Sequence, residues 1–241
     1  MKKRHVFLFA LLFVFMFFHT SLMAEFSFQV DLASRYIWRG FDLNPYKKPV
    51  IQPFVNYKLG NSGLSLNLWT SFSFENKEVN EIDFTVTYAL KTIKNFSLKT
   101  GLIHYGWYFV DNFRFKDDTS HELFVSAGLP DVFLNPSITV YYDFTNGDGF
   151  YILLEIEDSL NLLESIGAYF SASLGYNEGQ WLAEGVDPGF SDLNLGITLS
   201  FKIDNFQISP FANCTIVLLD AIGKENHFWY GISVSYKQGK D

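Results

Sequence analysis

One pattern constrains this chain more than any other, and it is already complete in the first long run. Phe26, Phe28, Val30, Leu32, Tyr36 and Trp38 all lie at even positions, while Ser27, Gln29, Asp31, Ala33, Arg35, Ile37 and Arg39 lie between them. Successive strand residues point to opposite faces, so a strand here has one greasy, aromatic face and one carrying Asp31, Arg35 and Arg39. Soluble strands run to about five or six residues, whereas a strand tilted across a bilayer needs about nine to eleven.

The unit then recurs. Ile51, Val55, Tyr57 and Leu59 alternate with Gln52, Asn56 and Lys58, and Leu64, Leu66 and Leu68 alternate with Ser65, Asn67 and Trp69. Ile82, Phe84, Val86, Tyr88 and Leu90 alternate with Glu81, Asp83, Thr85 and Thr87. The run Phe96–Phe109 has apolar residues on both parities, with Gly101 and Gly106 as candidate bulges. Shorter or cleaner repeats follow over Glu122–Leu129, Ile138–Phe144, Phe150–Glu157, Ala168–Tyr176, Leu193–Ile203, Phe206–Cys214 and Phe228–Tyr236, which brings the count to twelve. Ten to fourteen strands are compatible with the pattern.

Connections alternate as well. Gly60-Asn61-Ser62-Gly63, Thr92–Asn95 and Asp204-Asn205 are tight, while Phe41–Lys48, Asp111–Ser120, Asn177–Asp192 and Leu218–Asn226 are long and polar or acidic. Short turns on one rim and long loops on the other is the outer-membrane arrangement. Asn146-Gly147-Asp148-Gly149 is short on the long-loop side. The stretch Asp158–Gly167, with Leu160, Leu162, Leu163 and Ile166, reads as a long connection holding a short interfacial helix.

The fold expected is therefore all-β: a closed, antiparallel, up-and-down transmembrane barrel. A soluble barrel with the apolar face inward, such as a periplasmic binding protein, would enclose a wide greasy lumen that only a large ligand could fill. Turned outward, the same residues meet lipid, and the backbone is satisfied once the sheet closes. The mean hydropathy of +0.08 fits, because alternation averages a membrane face away.

The address agrees. Lys2, Lys3 and Arg4 precede the apolar run Val6–Phe18, and a cleavage after Ala24 makes residues 1–24 a secretory signal peptide and residues 25–241 the barrel. Without the leader, 15 Lys and Arg stand against 26 Asp and Glu, a formal charge of −11 that disfavours a nucleic-acid partner. Cys214, the only cysteine, is in step with Phe206, Ile208 and Ala212 and reads as a small apolar residue. The expected partners are outer-membrane lipid and lipopolysaccharide, the barrel-assembly machinery and small polar solutes, with no cofactor.

The segment Ser34-Arg35-Tyr36-Ile37-Trp38-Arg39-Gly40, followed by Pro49-Val50-Ile51-Gln52, resembles the S-x-Y-x-x-R-G … P-x-x-Q opening of the TorF-type outer-membrane porin family of Gram-negative bacteria. Gly149–Leu160 has a similar aromatic, aliphatic and acidic alternation. The resemblance implies an outer-membrane barrel whose porin role rests on analogy.

The candidate lumen-lining residues are Asp31, Arg35, Arg39, Glu81, Asp83, Glu122, Asp143 and Glu155. Arg35 and Arg39 suit either a constriction that binds anions and lipopolysaccharide phosphates or an internal salt-bridge network, with Tyr36 and Trp38 facing lipid near the rim. Carboxylates gather toward one mouth, and Lys58, Lys91, Lys99, Lys202 and Lys237 toward the other, an arrangement that favours cations. Trp69, Tyr141, Tyr151 and Tyr169 narrow the passage. Asp143-x-x-Asn146-Gly147-Asp148-Gly149 has the acids of a calcium loop without its closing Glu, so it reads as a hairpin turn and no metal site is expected. An outer-membrane lipid hydrolase would need a Ser and a His together on the wall. Ser120 and His121 are neighbours in one strand and point to opposite faces, so no catalytic residue is expected and the chain reads as a non-enzyme. The expectation is a small passive channel, with a structural or lipid-modifying barrel as the alternative.

Overall fold

In the computed structural model, which describes residues 25–44, 48–75, 77–90, 95–106 and 119–238, the chain closes on itself as a sheet. Twelve strands form the wall: β1 (Glu25–Ala33), β4 (Val50–Lys58), β5 (Leu64–Ser73), β6 (Glu78–Ala89), β7 (Ser97–Gly106), β8 (Thr119–Gly128), β9 (Ser137–Asp143), β10 (Gly149–Leu163), β11 (Ile166–Glu178), β12 (Gly189–Ile203), β13 (Phe206–Val217) and β14 (His227–Gln238). All pairings are antiparallel between sequence neighbours, and β14 closes on β1 from Phe26↔Gln238 to Ala33↔Gly231. Two more strands, β2 (Ile37–Trp38) and β3 (Phe41–Asp42), pair only with each other. The leader, Thr92–Ile93–Lys94 and the loop at Asp111, Asp117 and Asp118 lie outside the described residues.

Alternation works as expected, and the solvent preference is inverted relative to a soluble protein. Among the described residues only six apolar side chains are buried, against seventeen polar or charged ones. Leu66, Val86, Val125, Leu154, Leu199 and Ile232 lie exposed on the outside. Outward aromatics collect at two levels, with aliphatic residues between them. Tyr88, Phe96, Phe201 and Phe206 lie toward the rim with the chain termini, and Tyr142, Phe150, Phe190 and Phe228 toward the opposite, loop rim.

Three details differ from the pattern read in the sequence. Gly101 and Gly106 create no bulge, since β7 pairs with β8 without a shift from Ser97↔Gly128 to Gly106↔Thr119. The shifts fall at Ser71/Phe72, Asn161/Leu163 and Gly175/Tyr176. Asp158–Gly167 holds no helix: β10 runs on to Leu163, turns through Glu164 and Ser165, and returns as β11. On the β9 side this hairpin runs past its neighbour, with Leu160, Leu162 and Leu163 at 56%, 50% and 65% exposure. Most importantly, the first strand leaves the wall after Ala33. Tyr36, expected to face lipid, is buried in the barrel, and Trp38 packs beside it.

Candidate functional site

The in-folded segment is the motif itself. Ser34 is held to β14 by its backbone N–H donating to Tyr230 O at 2.8 Å, and its Oγ accepts from Tyr230 N at 3.0 Å. The chain then turns inward as the β2–β3 hairpin, with Trp38 opposite Phe41. Arg39 and Gly40 form its two-residue loop with φ of 49° and 84°. Positive φ at both central residues is what a type I′ hairpin turn demands, and the second position suits glycine. Gly40 passes close to β12, where an added Cβ would sit 3.1 Å from Asp192 Cβ. We expect Gly40→Val to destabilise the folded barrel by about 1–3 kcal/mol, read by urea titration of tryptophan fluorescence in detergent. An unchanged midpoint would mean the hairpin is not fixed where the structure has it.

Arg39 is the centre of the site. Its guanidinium donates to both Glu122 oxygens, Nη1 to Oε2 at 2.7 Å and Nη2 to Oε1 at 2.8 Å. Gln180 bridges the pair, accepting from Arg39 and donating to Glu122. Three rings surround the cation, with centroids of Trp38, Tyr141 and Tyr151 at 4.6, 4.2 and 4.5 Å. Arginine's planar, delocalised cation suits both kinds of contact at once. The Arg39 side chain is 8% exposed and Glu122 fully buried.

Around this pair the lumen is filled. Tyr36 OH donates to Glu81 at 2.9 Å and its ring packs on Trp69, with centroids 5.4 Å apart. Trp38 meets Tyr105 edge-on at 5.8 Å, and Tyr105 OH donates to Glu122 at 2.9 Å. Asp83 accepts from Gly106 N at 3.3 Å. Tyr151 OH donates to Asp192, which also accepts from Ser191 Oγ and Asn194 Nδ2 at 2.7 Å each. Every one of the twelve strands contributes a buried side chain near this level, from Ala33 on β1 and Val50 on β4 round to Thr215 on β13 and His227 on β14. Most polar groups are satisfied, while Ser71 Oγ and Asn177 Oδ1 have no hydrogen-bond partner among the described residues.

The other expected lumen residues are placed as follows. Arg35 has left the wall with the hairpin stem, where it donates to Asp42 at 3.1 Å and lies 3.1 Å from His227 Nδ1. Asp31 stays on β1, nearer the terminus rim, and accepts from Gln29 at 2.9 and 3.1 Å, so it is separated from both arginines. Asp143 accepts from Ser120 Oγ at 2.7 and 2.6 Å and from Thr145 N at 3.0 Å, the bonding of a turn. Glu155 lies below Tyr151 on β10, partly buried. His121 faces the opposite way from Ser120 and pairs outside with His104, nitrogens 3.1 Å apart. Gln180 carries no signal in the sequence, because it comes from the loop after β11 and is defined only by what it bridges.

Below the plug a cavity of about 460 Å³ opens toward the terminus rim. Gln29, Asp31, Tyr169, Thr198, Ser200 and Ser235 are among the residues lining it. The lumen is thus a polar vestibule under an arginine-centred constriction. At the terminus rim Lys58 and Lys237 both reach Glu25, at 3.1 and 3.4 Å.

Residues 20–214 match the profile of a family described as a bacterial protein of unknown function, Gcw_chp. No curated protein matches the sequence. Among solved structures, a NanC porin aligns with a TM-score of 0.58 and 11% identity, over 87% of this chain and 98% of that one. A KdgM porin aligns at 0.54 and 12%, over 88% and 98%. The COG4313 outer membrane channel from Pseudomonas putida F1 aligns at 0.54 and 9%, over 90% and 96%. At these identities the likeness establishes the shared barrel fold.

Proposed function

From a chain that belongs to the Gcw_chp family, and whose barrel inverts the usual placing of polar and apolar residues, we propose an outer-membrane channel for small polar solutes, narrowed by its own first loop. The inversion carries the reading. An exposed apolar belt around a closed sheet is solvated by hydrocarbon, and closure leaves no unpaired strand edge in it. The two aromatic levels match the two interfaces of a bilayer. Residues 1–24 would direct export, the assembly machinery would insert the barrel, and lipopolysaccharide would surround the loop rim. No cofactor enters the reading. A KdgM porin has been solved in complex with disordered oligogalacturonate, which supports solute passage as a use of this barrel shape. The opening motif's resemblance to TorF-type porins points the same way.

Charge sets the preference. Glu81, Asp83, Glu122, Asp143 and Asp192 lie in the loop half, and among the described residues Arg39 is the cation buried with them. Acidic rings raise the local concentration of cations and repel anions, over about 8 Å at physiological salt. A weak cation preference follows, and it should shrink in high salt.

Burial around the full circumference at the plug favours a second reading, a permanently closed structural barrel. Liposome swelling separates the two. Proteoliposomes holding heat-modifiable, folded protein should swell in pentose or small amino-acid solutions and stay unswollen in a tetrasaccharide. Silence toward every solute would overturn the channel and leave the closed barrel.

A further inference from the structure

Resting on the channel reading, we infer that the vestibule under the plug is a binding site for a neutral polyhydroxylated solute of mono- to disaccharide size. The cavity of about 460 Å³ is built by one side of the barrel, from β10 through β14 to β1. Its volume falls in the range of about 300–1,000 Å³ of small-molecule sites. Its roof includes Phe211, which packs against the Ala33, Tyr36 and Val50 cluster beside the hairpin. A solute entering from the terminus rim therefore meets the constriction and rests below it before passing.

The wall's chemistry selects the class. Register sets Ser209 opposite Ser233 and Gln207 opposite Ser235 across β13 and β14, and Asp31 opposite Ser233 across β1 and β14. Thr198 and Ser200 continue the row on β12. Among the described residues the hydroxyls of Thr198, Ser200, Ser233 and Ser235 make no side-chain hydrogen bond, in contrast to the crowded network of the plug above. A hydroxyl both donates and accepts, as every hydroxyl of a sugar does, so a row of open hydroxyls matches a polyol in either direction. Such a ligand replaces bound water bond for bond.

Charge argues against an ionic ligand. The lining holds one carboxylate, Asp31, already occupied by Gln29, and one ammonium, Lys202. Glu157, outside the lining, accepts from the OH of the lining Tyr169. No cluster of cations waits for a carboxylated sugar: the single ammonium, Lys202, is exposed, and Asp31 and Glu157 would oppose the added negative charge. Tyr169 and Phe211 add two rings to a mostly polar wall, the apolar element that the C–H face of a sugar ring packs on.

The test is equilibrium binding, by titration calorimetry on the folded, detergent-solubilised full barrel, so it is independent of conduction. The probes are maltose, glucose and galacturonate. Maltose or glucose should bind with a dissociation constant on the order of 1 mM, and galacturonate at least about tenfold more weakly. The triple variant Ser200→Ala, Ser233→Ala, Ser235→Ala should weaken the neutral sugar about tenfold. Thr198→Arg, which fills the cavity from one position, should abolish binding, with folding of both verified by heat-modifiability. Tighter or equal binding of galacturonate would overturn the assignment, as would unchanged affinity in both variants or no heat with either neutral sugar. Binding by a protein whose liposomes never swell would remove the channel and keep the site. Swelling without binding would do the reverse.

Discussion

Arg39→Ala is expected to destabilise the folded barrel by about 3–5 kcal/mol, the loss that follows when one partner of a buried ion pair is removed. The remaining Glu122 carboxylate has no exposed surface, and it would keep only Tyr105 OH and Gln180 as donors. The three rings around the guanidinium would lose their cation as well. Urea unfolding in lipid vesicles, followed by tryptophan fluorescence, measures the loss. Two companions give it meaning. Arg39→Lys keeps the charge and forfeits the two-pronged geometry, so it should fall between the parent and the alanine variant. Arg39→Ala with Glu122→Ala removes both charges and should lose less than the two single changes added together. If Arg39→Ala lies within about 0.5 kcal/mol of the parent, as surface changes do, the arginine does not hold the hairpin.

The second large effect is on the outside. Arg placed at Leu66, Val86 or Leu199 should impair folding into bilayers by about 2–4 kcal/mol each, because these mid-strand positions would carry a charge into hydrocarbon. All three are exposed on the outer face, at 40%, 42% and 38%. Arg at the adjacent Asn67, Thr87 or Ser200 points into the lumen and should be tolerated far better. Folding yields into vesicles, scored by heat-modifiability on gels, compare the two sets. Equal behaviour would place the apolar face somewhere other than lipid.

The wall was legible from residue order because its two sides meet different surroundings, and a period of two records that difference at every position. The run Leu193–Ile203 is the plainest case: Leu195, Ile197 and Leu199 lie exposed outside, with Thr198 and Ser200 on the cavity side. What the pattern could not report is where the chain leaves the wall. Tyr36 and Trp38 keep step with Phe26–Leu32, and aromatic side chains serve an interface belt and a packed plug equally well. Arg39-Gly40 is a poor hairpin signal because arginine is uncommon at positive φ, and it is held there by contacts with residues 83 and 141 positions away. No local periodicity encodes such distant partners. The Asp158–Gly167 stretch misled for a different reason. Asp158 and Leu163 break the alternation where β10 runs past the end of β9, so the sequence is less disciplined by lipid and lumen there. Of the candidate lumen residues, Arg39 and Glu122 meet, Glu81 and Asp83 line the same strand, Asp31, Arg35 and Asp143 serve separate local networks, and Glu155 lies lower on β10.

Single-channel recording in planar bilayers tests the central claim, that the in-folded hairpin is the constriction of a channel. The parent should show a small, weakly cation-selective conductance. Replacing Ile37–Asp42 by two glycines, which still joins Ala33 to its partner Val50, should raise that conductance severalfold and reduce its selectivity. Identical conductance from the two folded proteins, or silence from both, would contradict it.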